Sequence, residues 1–168
     1  MTMNNKYSFR KQVFTCEEIL NMIGSGALRF VGYTYDEHSR WSETMKGEFV
    51  SQLLSGIGMF LSGIIIDGSE KTWYVTGGER QLKCIYDYVR DGMTLELNDG
   101  TSASTFKQLP LALKRRLLNM EITVNVINAG IAAKERYLIY EMAGTLEGVS
   151  DLSAVKKIVF PVEKHSEE

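Results

Sequence analysis

Four consecutive residues, Gly77, Gly78, Glu79 and Arg80, are of types that could bind a phosphate group. Glycines can adopt backbone angles closed to other residues, and they leave no side chain between the backbone and a bound anion. The helix predicted to start at Glu79 would direct unpaired N–H groups and the positive end of its dipole at the same place. A strand, a glycine turn and a helix start together favour an anion or phosphate site. Ordinary strand-to-helix turns show the same pattern, so that alternative stays open.

The two charged residues of this turn predict separate roles. Phosphoryl chemistry needs a group that positions water or a metal ion, and cations that stabilise the charge on the phosphates. Glu79 is the candidate catalytic residue for the first task, and Arg80 is the candidate phosphate ligand for the second. Two side chains are few for an enzyme, so the sequence predicts binding with weak or no turnover.

One stretch, residues 74–89 (YVTGGERQLKCIYDYV), resembles a signature of the N-terminal domain of GmrSD-type modification-dependent restriction enzymes. That domain belongs to the ParB/sulfiredoxin-like superfamily and is thought to bind and hydrolyse nucleotide. The family pattern fits without a gap, and it coincides with this chain at Gly78, Leu82, Ile85 and Asp87. The resemblance implies an α+β fold, with a small mixed sheet flanked by helices.

The turn itself departs from the family pattern. Gly77 replaces an aspartate and Gln81 replaces an arginine. Glu79 and Arg80 replace two glutamines, and after Gly78 they resemble instead the Gly-Glu-Arg-Arg motif of ParB proteins, which bind and hydrolyse CTP. The resemblance implies that Gly77, Gly78, Arg80 and Gln81 bind nucleotide, and that a nucleoside triphosphate with Mg²⁺ is the possible cofactor.

Two further motifs of the family are altered in the same way. Arg40-Trp41-Ser42 matches the end of one motif, which makes Arg40 another nucleotide-binding candidate. The two positions where that motif has Gln and Arg are occupied by Asp36 and Glu37. The other motif has Phe, Arg and Asn at alternate positions, and these three positions are occupied here by Tyr140, Met142 and Gly144. The resemblance covers residues 12–153. Over this range the chain keeps the hydrophobic positions of the family pattern but lacks polar residues of its motifs.

Length and composition are typical of one soluble globular domain. With 168 residues, of which 44% are hydrophobic and 24% charged, the chain is long enough to bury a core. No apolar run approaches the ~20 residues that span a bilayer. The N-terminus has no apolar signal core, which predicts a cytoplasmic protein with no membrane partner. Two distant cysteines and two isolated histidines predict neither a disulfide nor a metal site.

A single basic cluster, Lys114, Arg115 and Arg116, is the candidate nucleic-acid-binding surface. The net charge of -2 argues against a broad basic surface, so any DNA binding is expected to be weak and sensitive to salt. The alternative is a solvated helix face whose charges suit the C-terminal end of the helix dipole.

The pattern of elements predicts one domain over 11–160, between a flexible N-terminal arm (1–10) and a flexible tail (161–168). A capping box from Thr15 to Glu18 and an N-cap at Ser42 each predict a helix start. On the second helix, helical spacing predicts that Met45 is in the core. Trp41, which lies just before this helix, is expected to anchor the core. The remaining predicted helices cover 79–91, 106–120 and 132–143. The predicted strands are 11–14, 27–33, 60–66, 72–76, 93–97, 121–128 and 158–160.

Three functions follow from these observations as hypotheses. The first is a stand-alone ParB-like nucleotide-binding regulatory domain, related to modification-dependent restriction systems, with weak or no turnover. The second is a catalytically inactive interaction protein, for example a modulator or inhibitor of a restriction or defence complex. The third is a ParB-like NTPase that uses Glu79.

Overall fold

The computed structural model describes residues 9–32, 41–56, 61, 63–97, 104–149 and 151–161. Five strands and six α-helices are formed by this part of the chain. The strands are β1 (Phe9–Thr15), β2 (Leu28–Phe30), β3 (Ile65–Asp67), β4 (Trp73–Gly77) and β5 (Glu121–Ile127). The helices are α1 (Cys16–Ser25), α2 (Glu43–Ser55), α3 (Glu79–Val89), α4 (Leu111–Leu118), α5 (Ala133–Leu146) and α6 (Ser153–Val159). None of these helices is long and apolar enough to cross a bilayer.

The strands form one mixed sheet in the order β1-β5-β3-β4-β2. β1 pairs with β5, and β3 with β4, in antiparallel fashion, whereas the β5–β3 and β4–β2 pairs are parallel. β3 and β4 form an antiparallel hairpin, with Ile66 opposite Val75. The prediction of an α+β fold with a mixed sheet is therefore confirmed. β1 begins at Phe9, two residues inside the predicted arm.

Helices cover both faces of the sheet. Successive side chains of a strand point to opposite faces. Ile66 and Val75 belong to a large hydrophobic cluster with residues of α1, α2, α3 and α4. Their neighbours point the other way, since Asp67 bonds to α5 and Tyr74 packs on a smaller cluster formed with α5 and α6. This second layer places α5 across the hairpin, which matters for the site described below.

Local signals explain where the first two helices begin and end. The Thr15 side chain accepts from the Glu18 N–H, and the Glu18 carboxylate accepts from the Thr15 N–H at 2.7 Å. Ser42 Oγ accepts from the Met45 N–H at 3.2 Å. Each helix ends at a glycine with positive φ, Gly26 or Gly56. These caps satisfy backbone groups that the helix itself cannot pair, and they confirm both predicted helix starts.

Two predictions about packing on α2 have different outcomes. Trp41 is half-buried and packs edge-to-face on Phe49, with 4.9 Å between the ring centroids, as expected of a core anchor. Met45 was placed in the core but is 49% exposed, so that prediction is wrong. The helix turns Gly47 inward instead, where a Cβ atom would collide with the backbone oxygen of Glu96. A glycine at that point lets the α2 backbone approach the Glu96 backbone more closely than any side chain would allow.

Three of the predicted strands differ in the structure. The segment 158–160 is not a strand, because Ile158 and Val159 lie in α6. With Val155 they have helical spacing and contribute to the cluster that contains Tyr140. The predicted strand 93–97 is reduced to one isolated bridge between Leu95 and Ser104. Of the predicted strand 60–66, only Ile65 and Ile66 are in β3, while residues 60 and 62 lie outside the described part.

Candidate functional site

The turn between β4 and α3 has the predicted strand, glycine and helix arrangement. Gly77 ends β4, and Gly78 is the N-cap of α3 with φ 77° and ψ 21°, a left-handed conformation that favours glycine. A Cβ atom on Gly77 would lie 2.8 Å from the Gly63 carbonyl oxygen. One on Gly78 would collide with the Ile64 side chain and lie 3.3 Å from its Cα. Both glycines are therefore required by the close approach of the segment that leads into β3.

This turn binds a carboxylate supplied by the chain itself. The Gly78 N–H donates to Oε1 of Glu147, at 2.7 Å. Glu147 is the C-cap residue of α5, so the end of one helix delivers an anion to the start of another. A negative charge at the start of α3 is stabilised by the positive end of the helix dipole there. The predicted preference of the turn for an anion is consistent with this contact.

Arg80 adds a second donor to the same residue. Its Nη2 donates to the backbone carbonyl oxygen of Glu147. The Gly78 N–H and the Arg80 guanidinium thus converge on Glu147, one on its side chain and one on its main chain. A guanidinium carries five N–H donors in a planar group, which suits it to bind oxygen acceptors. Gly78, Arg80 and Glu147 are all half-buried.

Glu79 occupies a different environment from its neighbours. It is the first residue of α3, a position that suits a carboxylate, but it is only 3% exposed. Gln81, in the same first turn, is half-buried. The structure therefore brings Gly77, Gly78, Arg80 and Gln81 together at one helix start, with the Glu79 carboxylate packed away from solvent. Arg40 lies outside the described residues.

A second polar cluster joins α5 to β3 and was not predicted. Arg136 Nε and Nη2 donate to Oδ2 of Asp67 at 3.1 and 2.7 Å, and the Tyr140 hydroxyl donates to the same oxygen at 2.7 Å. Ser69 donates to the other oxygen, Oδ1, from its N–H at 3.0 Å and its hydroxyl at 2.6 Å. Arg136 also faces the exposed Glu70, at 3.4 Å. The cluster therefore provides hydrogen-bond partners for two buried charges, those of Asp67 and Arg136.

The electrostatics of Asp67 follow from these contacts. Burial raises the pKa of this carboxyl, but the hydrogen bonds from Ser69, Tyr140 and Arg136 outweigh it and hold the pKa below its ordinary value. Asp67 is 1% exposed and Arg136 6%. The carboxylate is therefore ionised near neutral pH. It fixes α5 to β3, because Arg136 and Tyr140 of α5 both donate to it.

The predicted nucleic-acid cluster is divided by the structure. Arg116 Nη1 donates to the Leu54 carbonyl at 2.7 Å, which satisfies a carbonyl at the C-terminal end of α2. Arg115 is exposed and Lys114 is half-buried. A cation at this end of a helix is stabilised by the dipole. At least one of the three residues therefore has a structural contact with another helix, and both interpretations of the cluster stay predictions.

No candidate metal centre is found within the described ranges, where no three His, Cys, Asp or Glu side chains group together. Cys16 and Cys84 are both buried, and burial raises the pKa of each thiol to about 12. Neither thiol has the environment of a nucleophile, which requires a stabilised thiolate.

Sequence reasoning missed Glu147 and the Asp67 cluster. Arg136 and Tyr140 lie four residues apart, the spacing of neighbours on one helix face, which was the one available signal for a shared partner. No local signal connects Glu147 to Gly78, because 69 positions separate them.

Comparison of the chain with protein-family models, with curated proteins and with solved structures gives no match. The glycine turn and its bound carboxylate must therefore be interpreted from their own chemistry. That chemistry is the binding of an anionic oxygen by a backbone N–H group beside a guanidinium.

Proposed function

We propose that this chain is a ParB-like nucleotide-binding regulatory domain, related to modification-dependent restriction systems, with weak or no turnover. The observation that carries the proposal is the 2.7 Å hydrogen bond from the Gly78 N–H to a carboxylate oxygen. A phosphate oxygen is also an anionic acceptor, so it can take the same donor at the same helix start. Arg80 is held beside this donor and supplies the positive charge that phosphate recognition needs.

The residues of the turn fit a triphosphate with Mg²⁺ in part. One backbone N–H and one guanidinium would hold phosphate oxygens, and they neutralise only part of a triphosphate's charge. When bound, Mg²⁺ would neutralise further charge on the phosphates, since it is usually held by substrate phosphates and one or two carboxylates.

Weak or absent turnover is supported by the position of Glu79. Hydrolysis needs a group that reaches and orients the attacking water. The Glu79 side chain is 3% exposed and packed at the first turn of α3. Binding thus requires only donors that already lie at the turn, whereas hydrolysis requires Glu79 to be turned toward the ligand.

Isothermal titration with ATP, GTP and CTP, with and without Mg²⁺, tests the proposal. At least one nucleotide should bind, and Arg80→Ala should weaken its binding about 10- to 100-fold, the scale of a lost hydrogen bond to a charged group. Lys83→Ala is the matched control, because it removes a positive charge from the next turn of the same helix and should leave binding unchanged. Absence of binding by folded wild-type protein at millimolar concentration would refute the proposal.

The same titration, combined with an assay of phosphate release, separates a binding domain from an NTPase that uses Glu79. Glu79→Gln keeps the size of the side chain and removes its charge. This variant should bind nucleotide as the wild type does, and any phosphate release that the wild type shows should be lost. Phosphate release that persists in Glu79→Gln would exclude Glu79 as the catalytic residue.

A second candidate function, an inactive interaction protein, is favoured by an apolar ridge on α5. Leu138, Met142 and Leu146 are 39%, 69% and 88% exposed, and their spacing of four places them along one side of the helix. Exposed apolar groups that adjoin one another are typical of interaction surfaces. The partner would be a protein of a restriction or defence complex.

The nuclease rate of a GmrSD-type restriction enzyme, measured with and without this chain, tests that candidate. Wild-type chain should change the rate, and a variant with Met142→Gln and Leu146→Gln should not. If both proteins change the rate equally, the ridge is not the interaction surface. If neither changes it, this function is rejected for that class of enzyme.

A further inference from the structure

We infer that the outer edge of β1 binds an extended acidic segment of another protein, which adds to the sheet as a further strand. β1 is the last strand at one side of the sheet, and among the described residues it pairs with β5 alone. An edge strand presents a row of backbone donors and acceptors that another extended segment can pair. The inference involves neither the glycine turn nor the ridge on α5, so it goes beyond the proposed function.

Hydrogen bonds around β1 show which of its residues face outward. The Cys16 N–H donates to the Met120 carbonyl at 2.8 Å, directly beyond the end of the paired strands. The Asn125 N–H, opposite Lys11, donates instead to the Ile64 carbonyl at 3.0 Å, on the far side of β5. In an antiparallel pair, residues that exchange hydrogen bonds alternate with residues that do not. The residues that direct their N–H and C=O groups away from β5 are therefore Phe9, Lys11, Val13 and Thr15.

Three of these four residues can pair with an added strand. The Thr15 N–H already donates to the Glu18 carboxylate at 2.7 Å. Within the described ranges, no hydrogen bond involves the outward backbone groups of Phe9, Lys11 and Val13. Their side chains share one face of the sheet, where Phe9 is 41% and Val13 55% exposed, with the exposed Lys11 between them. A strand added here would satisfy backbone groups and cover two exposed apolar side chains.

Charge determines which kind of segment fits. The charged residues of β1 are Arg10 and Lys11, both basic and both exposed. Arg10 lies on the opposite face, with its guanidinium carbon 5.7 Å from the centroid of the Trp73 ring. Opposite charges on facing residues of paired strands stabilise the pairing, and like charges destabilise it. An antiparallel segment that matches Val13 to Phe9 therefore reads apolar, polar, acidic, acidic, apolar from its N-terminus.

A second copy of β1 fits this edge less well than an acidic segment does. When Phe9 of one copy faces Val13 of the other, the two Lys11 side chains face each other and repel. The other registers of similar length include Thr15, whose N–H is already bonded to Glu18. Lysine in an edge strand commonly opposes pairing between identical edges. The same lysine favours a partner that supplies a carboxylate, and strand addition of this kind is a common mode of peptide recognition.

Titration with a synthetic peptide tests the inference. The probe is acetyl-Ser-Val-Thr-Glu-Glu-Val-Ser-amide, whose central residues follow the expected pattern, and binding is followed in ¹⁵N–¹H spectra of the full chain. The probe should shift the outward amide signals of Phe9, Lys11 and Val13 more than those of Arg10 and Gln12, which already bond to β5. Absence of binding at millimolar concentration, or shifts that spare the outward amides, would overturn the inference.

A charge exchange tests the contact with Lys11. Lys11→Glu should weaken binding of the probe about tenfold, because an attractive pair becomes a repulsive one. A peptide with lysine in place of its first glutamate should show the reverse preference and bind Lys11→Glu more tightly than wild type. Lys157→Glu is the control, since it makes the same change at an exposed site on α6, which packs with Val31 beside the opposite edge of the sheet. Binding that ignores the sign of residue 11 would contradict the assigned pairing.

A methyl group on one peptide nitrogen tests the backbone pairing. On the first glutamate it removes a donor directed at β1 and should abolish binding, whereas on the threonine it removes a donor directed away and should be tolerated. Equal effects of the two methyl groups would rule out strand addition.

Sedimentation velocity distinguishes the remaining occupant, a second copy. The wild-type chain should stay monomeric at the concentrations used in the titration. A dimer that forms with rising concentration and is lost in Val13→Lys would identify a second copy as the occupant of this edge and overturn the inference. Thermal melting of each variant excludes unfolding as the cause of a change.

Discussion

Arg136 directs two N–H groups at a single oxygen of Asp67, Oδ2, from 3.1 and 2.7 Å. This contact ties the first turns of α5 to the end of β3. At its other end, α5 delivers Glu147 to Gly78 at the start of α3. α5 therefore makes one polar contact near each end, and these two contacts hold it across the β3–β4 hairpin.

Asp67→Asn should destabilise the protein by about 3–5 kcal/mol, because it leaves the Arg136 guanidinium buried without its charged partner. Urea denaturation followed by circular dichroism measures the free energy of unfolding. Glu70→Gln is the control, since Glu70 also faces Arg136 but its side chain is 67% exposed. An exposed partner contributes about 0–1 kcal/mol, so the control should lose little. Equal losses in both variants would contradict the structural role given to Asp67.

Asp67 also predicts how stability depends on acid. Its folded-state pKa is lower than the value of 3.8 expected of an ordinary Asp. The stabilisation it provides is therefore present above about 3.8 and is lost as the pH falls through the lower folded-state pKa. Denaturation curves over the acid range should show a smaller loss of stability in Asp67→Asn than in wild type. Parallel losses in the two proteins would assign acid sensitivity to other carboxyls.

Gly78→Ala should be more destabilising than Gly92→Ala, although both glycines have positive φ, 77° and 73°. Each alanine is strained by about 1–2 kcal/mol in this conformation. At Gly92 no atom lies within 4 Å of the added Cβ, whereas at Gly78 the Cβ meets Ile64. Overpacking adds about 1–3 kcal/mol, which thermal or urea unfolding resolves. If the two variants lose the same stability, the turn is looser than its geometry indicates.

The buried thiols predict alkaline behaviour and low reactivity. Burial raises the pKa of Cys16 and of Cys84 from 9.0 to about 12. The stability linked to these neutral thiols is present below 9.0 and is lost as the pH rises through the interval up to about 12. Ellman's reagent near neutral pH should therefore react slowly with native protein and rapidly with protein in denaturant. Rapid reaction of native protein would show that one of the thiols is accessible.

Binding to DNA should depend on Arg115 more than on Arg116. Arg116→Ala loses the bond to the Leu54 carbonyl and should mainly reduce stability, by about 0.5–1.5 kcal/mol. Arg115→Ala should weaken duplex binding and reduce the salt slope by about one, as expected of one phosphate contact. Fluorescence anisotropy of a labelled duplex at several salt concentrations measures both effects. Tight binding in about 0.2 M salt after neutralisation of Lys114, Arg115 and Arg116 would refute a weak, electrostatic mode.

The amino-acid sequence by itself determined the features that depend on neighbouring residues. The capping box of Thr15 and Glu18, the N-cap at Ser42 and the start of α3 after Gly78 involve groups within three or four positions of one another. Caps and glycine turns act through such short-range hydrogen bonds and backbone angles, so their residue types can be recognised directly. The prediction of an anion site at the glycine turn rests on the same short-range signals.

Only the tertiary structure decided what occupies that site and what holds it in place. Glu147 and Gly78 are 69 positions apart, as are Arg136 and Asp67, and each pair meets because α5 packs across the hairpin. Packing also decided that 153–159 is a helix, since its apolar residues complete a cluster with α5. Contacts of this kind depend on how whole elements are arranged in space, and the order of residues within any one element does not encode them.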